Sequence, residues 1–109
     1  MAYEYESDLD ILYIDNNPNR EKVDGSLAFG NIVIDLGFDG KVLGVEVDCA
    51  SRFFKLSEEQ LSNLKVAKVQ VMKVGNMITL GIAIATDVKE YVFQFTVPQE
   101  ASQIPIAAY

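Results

Sequence analysis

Three acidic residues in the first half of the chain have the types and spacing for chemistry: Asp10, Asp35 and Glu46. Asp35 and Glu46 flank an Asp39-Gly40 turn signal, and the register set by that turn makes them diagonal neighbours on one face of a hairpin. Two carboxylates so placed suit a hard cation such as magnesium or calcium, or an acid and base pair whose pKa values are pushed apart. Asp10, on the strand before, is the candidate third member. The competing account makes all three the wet side of a one-sided antiparallel sheet, since strand alternation alone puts acids there and acids block edge pairing.

Composition narrows the chemistry further. Histidine is absent, which removes the commonest general base at neutral pH, the partner of Ser-His and Cys-His nucleophiles, and the usual zinc hydrolase ligands. Cys49 is the only cysteine, so neither an internal disulfide nor a cysteine-cluster metal site is available, and the expected role of Cys49 is a small buried hydrophobe. A thiol beside Arg52 would have a lowered pKa but no base to serve it. No glycine-rich phosphate loop or metal-spaced motif occurs. The expectation is a protein without catalytic residues or cofactor.

The net charge of −7 is unevenly spread: residues 1–48 hold 11 acids against 3 bases, and residues 49–109 hold 5 against 6. An acidic field repels phosphate backbones, so nucleic acid is not the expected partner, whereas a basic protein is a candidate one. No run approaches the ~20 apolar residues of a membrane span, and Glu4, Glu6, Asp8 and Asp10 stand where a signal peptide would be basic, so the expected location is the cytoplasm with no membrane contact.

The elements that must hold these residues read as strands. Ile11-Leu12-Tyr13-Ile14 is β-branched and aromatic and ends in the turn formers Asp15 to Asn19. Ile32 to Leu36 and Val42 to Val47 flank Asp39-Gly40; a two-residue turn there pairs Leu36 with Leu43, Ile34 with Val45 and Ile32 with Val47. Gly44, in mid-strand, marks a bulge or a close approach. Leu56-Ser57-Glu58-Glu59-Gln60-Leu61 is a helix start, with Ser57 as N-cap, Gln60 closing a capping box, and the helix running to Leu64 or Lys65. Beyond it lies a three-stranded meander, turned at Gly75-Asn76 and over residues 86–89, pairing Val71 with Leu80, Val69 with Ile82, Ile84 with Tyr91, Ile82 with Phe93 and Leu80 with Phe95. The expected fold is therefore a β-dominated α+β domain over residues 1–109. It has antiparallel hairpins and a meander of about six strands, one short helix (56–65) between a first half (3–54) and the meander (66–97), and an apolar tail (98–109) that packs on its own domain or a second subunit.

Tyr5 and Glu6 stand ahead of Asp10, Leu12, Tyr13 and Ile14; Gly30, Ile32, Val33 and Asp35 form a second block; Asp39, Gly40, Val42, Gly44, Glu46, Ala50 and Ser51 form a third. In the order and spacing of these blocks, residues 3–54 resemble a family of small prokaryotic proteins, domain of unknown function 2283. Glu6 replaces the usual aspartate, and the chain continues about 55 residues past the expected end of such a protein. The resemblance implies a β-rich fold in a family without an assigned activity, some members of which accompany toxin-like proteins. The leading functional expectation is a non-enzymatic structural or interaction module forming a homo-oligomer through its tail and exposed strand edges. An acidic, antitoxin-like protein that neutralises a basic partner, and a carboxylate metal or hydrolytic site, are the alternatives.

Overall fold

The structure is a computed structural model, and it describes residues 3–98. Eight strands and two short helices follow one another as β1 (Tyr3–Glu6), β2 (Ile11–Asp15), β3 (Gly25–Phe29), β4 (Ile32–Leu36), β5 (Val42–Asp48), α1 (Ala50–Phe54), α2 (Glu58–Ser62), β6 (Val66–Val74), β7 (Met77–Ala85) and β8 (Glu90–Pro98). They form two antiparallel sheets, one of five strands in the order β1-β2-β5-β4-β3 and one of three in the order β6-β7-β8. The β-dominated α+β class is as expected, with β1, β3 and α1 added to the elements read from sequence. The tail from Gln99 onward, expected to pack on its own domain or a second subunit, lies outside the described residues.

The meander takes the registers that its turns dictate. Val74 pairs with Met77 across Gly75-Asn76, where Gly75 has φ +60°, and Ala85 pairs with Glu90 across residues 86–89. Val71 then meets Leu80 and Val69 meets Ile82; Leu80, Ile82 and Ile84 meet Phe95, Phe93 and Tyr91. Period-two alternation puts Ile78, Leu80, Ile82 and Ile84 on one face, and all four are buried.

The β4–β5 hairpin differs from expectation in two compensating ways. Its loop is Phe38-Asp39-Gly40, closed by Gly37 N–H to Lys41 O and by Gly40 N–H to Gly37 O, with Gly40 alone at positive φ (+81°). That is a type I turn ending in a left-handed glycine rather than the two-residue type I′ turn, which needs positive φ at both central positions. Leu36 consequently pairs with Val42, not Leu43. The ladder then slips by one residue, leaving Leu43 as a bulge, so that Asp35 meets Gly44, Ile34 meets Val45 and Ile32 meets Val47. The extra loop residue and the bulge cancel, and the apolar pairs keep one face.

Buried side chains from both sheets, including Leu12, Ile14, Ile34, Val45, Val47, Leu80 and Ile82, form one apolar cluster, to which the helices add Ala50, Phe54 and Leu61. Burying each such Leu, Ile or Phe contributes about 1.5–3 kcal/mol. The predicted capping box is present: Gln60 N–H donates to Ser57 Oγ (3.1 Å) and Ser57 N–H donates to Gln60 Oε1 (2.9 Å). The helix that it starts ends at Ser62, with Asn63 as C-cap, short of Leu64. Cys49 is a correction: it is exposed, with φ +53°, at the corner between β5 and α1. Among the described residues no helix is long and apolar enough to cross a membrane.

Candidate functional site: the acidic face of the five-stranded sheet

The registers fix which acids share a surface. Leu12, Ile14, Ile34, Val45 and Val47 face the core, so Glu4, Glu6, Asp15, Asp35, Glu46 and Asp48 all project from the outer face of the five-stranded sheet. No lysine or arginine occurs in any of the five strands. Asp35 stands opposite Gly44 and Glu46 opposite Val33, so those two carboxylates are diagonal neighbours. Burial raises the Glu46 carboxyl above its ordinary pKa, and contact with Asp48 and the charges of Asp35 and Glu6 push it further the same way. This face holds its acids against their mutual repulsion.

At its centre, Tyr13 explains Gly44. A Cβ on Gly44 would sit 2.0 Å from the Tyr13 hydroxyl oxygen and 2.5 Å from ring carbon Cζ, so the tyrosine lies across the space a side chain would fill. From there its O–H donates to Asp35 Oδ2 (3.2 Å), while Ser26 Oγ–H donates to Asp35 Oδ1 (3.4 Å). Burial, then the Asp35 charge and hydrogen bond, push the Tyr13 phenol up to about 12. Gly44 is thus a close approach, and the bulge is its neighbour Leu43.

Asp10 does not join Asp35 and Glu46. It lies at the end of the β1–β2 turn rather than on β2, with φ +53°, a conformation that aspartate tolerates. Tyr5 O–H donates to its Oδ1 at 2.6 Å; Ser51 donates its N–H to Oδ1 at 3.0 Å and its O–H to Oδ2 at 2.7 Å. The Asp10 backbone oxygen also accepts the N–H of Ala50. Cys49, the N-cap residue of α1, makes no side-chain cap, so Asp10 supplies from 40 residues away what a local cap would give the first helical N–H groups. Burial alone would raise the Asp10 carboxyl, but the bonds from Tyr5 and Ser51, with Arg52 nearby, outweigh it and hold it below its ordinary value. Burial and the same contact raise the Tyr5 phenol.

Among the described residues, no group of three or more acidic or cysteine side chains is placed to hold a metal ion. The arrangement offers a carboxylate surface and two hydrogen-bonded clusters, Tyr5-Asp10-Ser51 and Tyr13-Asp35-Ser26. Sequence reasoning missed Tyr5, Tyr13, Ser26 and Ser51 as partners of the acids. The signal was present for three of them, because Tyr5, Asp10, Tyr13, Asp35, Gly44 and Ser51 all belong to the blocks that carry the resemblance.

No family model and no solved structure matches the chain. A curated protein of Methanosarcina mazei, named "Putative hypoxanthine phosphoribosyltransferase", is 27% identical over 84 residues, covering 75% of this chain and 65% of that protein. The chain thus matches less than two thirds of that relative's length.

Proposed function

We propose that the chain is a non-enzymatic interaction module that forms a homo-oligomer by pairing β8 with β8 of a second copy. The observation that carries this is the contrast among the four sheet edges. In the five-stranded sheet, β1 and β3 are only four and five residues long, and β1 carries Glu4 and Glu6. In the three-stranded sheet, β6 carries Lys68 and Lys73. Short length and charge are the usual protection of an edge. By contrast, β8 is nine residues long, has no charge between Tyr91 and Pro98, and exposes Val92 to 69%. Antiparallel pairing about a two-fold axis would extend the meander to a continuous sheet of six strands. Sedimentation velocity tests it. The wild type should sediment as a dimer, and Val92→Lys with Thr96→Lys, both on the outer face, should shift it to a folded monomer. A wild type that is monomeric at the highest soluble concentration ends the proposal.

The acidic face favours a second reading, in which it docks a basic protein whose positive charge offsets the mutual repulsion of Glu46, Asp48, Asp35 and Glu6, a contribution to the raised Glu46 pKa that is secondary to burial. Under it, a basic protein copurifies from native extracts at low salt, and Glu46→Lys with Asp48→Lys abolishes the association. The likeness of residues 3–54 to a family without an assigned activity accords with either. Phosphoribosyl transfer, the activity in the name of the Methanosarcina mazei relative, is not carried to this chain, which is 27% identical to that protein and covers 65% of it.

A further inference from the structure

We propose that the cleft between α1, the β3–β4 turn and β8 binds a small planar aromatic anion. Phe29 carries the first part of the case. It pairs with Ile32 and so shares the core side of the five-stranded sheet with Leu27 and Ile34, yet it is 48% exposed. Phe29 ends the edge strand β3, and beside it a cleft of about 490 Å³ opens. Its walls include Phe29, Phe53, Phe93 and Phe95, the last three half-buried. The rings are braced from behind: Phe93 packs against Phe54 at 4.9 Å between centroids, and Phe53 meets Phe54 edge-on at 5.0 Å. Volume and lining are those of a small-molecule site, apolar and aromatic with few polar groups, and ring faces take up a flat ligand with little rearrangement.

The charge comes from Arg52, among the described residues the only ionisable one lining the cleft. The Arg52 charge acts on Asp10, but Asp10 already accepts bonds from Tyr5 and Ser51, and among the described residues Arg52 makes no salt bridge. A guanidinium without an ion pair among the described residues, at the mouth of an aromatic cleft, recognises a carboxylate or a phosphate. Asn31 adds a carboxamide, whose Nδ2 donates to Asp48 O. The cleft takes in Phe93, Gln94 and Phe95 of β8 and so borders the edge proposed to pair; its rings are core-facing, whereas the pairing uses main-chain groups in the plane of the sheet.

Amide chemical shifts of the full chain test it, with sedimentation recorded alongside to hold the oligomeric state constant. The probes are 2-naphthoate, naphthalene-2-methanol as its neutral counterpart, and adenosine monophosphate, which separates a phosphate from a carboxylate preference. At least one of the two anions should bind saturably, with shifts at Asn31, Phe53 and Phe93, and about tenfold tighter than the neutral alcohol. Arg52→Gln, at an exposed position, should remove that preference, and Lys68→Gln, on the far edge strand, should preserve it. Failure of both anions to saturate, shifts confined to another surface, or a preference that survives Arg52→Gln overturns the proposal.

Discussion

Gly44 and Gly81 occupy matching places, each in the middle of the central strand of its sheet and each pointing to the outer face, and they are there for opposite reasons. Above Gly44 lies the Tyr13 ring, within 2.0 Å of where a Cβ would be; above Gly81 the nearest atom is Gln70 Cβ at 3.7 Å, an ordinary contact. The outer face of the five-stranded sheet is therefore organised from within, by side chains that cross strands to bond acids. The outer face of the meander is flat and open, with Met72 64% and Val74 66% exposed beside small residues such as Thr79 and Ala83. One sheet spends its surface on holding its own short strands in place; the other gets its order from long ladders and leaves its outer surface open.

Removing a tie from each sheet should give the largest difference. Asp10→Asn leaves the Tyr5 and Ser51 donors and the start of α1 poorly satisfied, at an expected cost of about 3 kcal/mol in urea unfolding. Its counterpart, Thr79→Val, breaks a 3.0 Å hydroxyl contact with Thr96 on the open face and should cost less than about 0.5 kcal/mol. Equal losses would end the distinction. The glycines come next. Gly44→Ala should cost about 2 kcal/mol because Tyr13 must leave Asp35, whereas Gly81→Ala should stay within about 0.5 kcal/mol of neutral. In a Tyr13→Ala background the Gly44→Ala penalty should vanish, which a double-mutant cycle reads directly.

The pH dependences of Glu46 and Asp10 are smaller and of opposite sign. Glu46 has a raised folded pKa, so the native state holds its proton more tightly and stability falls as pH rises through the carboxylate range toward that raised value. Glu46→Gln should therefore raise the melting temperature slightly at neutral pH, and the gain should disappear below about pH 4, where the wild-type carboxyl is protonated in both states. Asp10 has a lowered folded pKa, so its contribution is full above the ordinary aspartate value and is lost as pH falls through the folded one. The gap between wild type and Asp10→Asn should accordingly close on acidification. Smallest of all, calcium or magnesium should leave the melting temperature unchanged; a rise that Asp35→Asn abolishes would restore the carboxylate pair as a metal site.

The meander was legible in full because its registers depend only on neighbours in sequence: the Gly75-Asn76 turn and the four-residue loop at 86–89 determine every pair. The β4–β5 hairpin was legible from Asp35 to Val47 only because the bulge at Leu43 restores what the longer loop displaces. β1 was missed, although its Tyr-Glu-Tyr-Glu alternation is a strand pattern, and β3 was missed because Gly25-Ser26-Leu27-Ala28-Phe29 is poor in β-branched residues. α1 was missed because its cap, Asp10, lies 41 residues upstream of the Ser51 N–H that it accepts, where no local signal records it. The same long-range bond put Asp10 beyond reach: strand periodicity placed it on β2, and the left-handed turn took it off. The aromatic cleft was hidden for a related reason, since Phe29, Arg52 and Phe93 meet only when the two sheets are assembled.

The paired loop and bulge of the β4–β5 hairpin also bear on how this chain tolerates substitution at the turn. The residues from Leu36 to Leu43 fit either the three-residue loop with its bulge or a two-residue Asp39-Gly40 loop without one, so a substitution that changes the turn type leaves Asp35 opposite Gly44 and the acids on the surface that they now occupy. Chains of equal length with either turn can therefore carry the same acidic face, and they align across it without a gap.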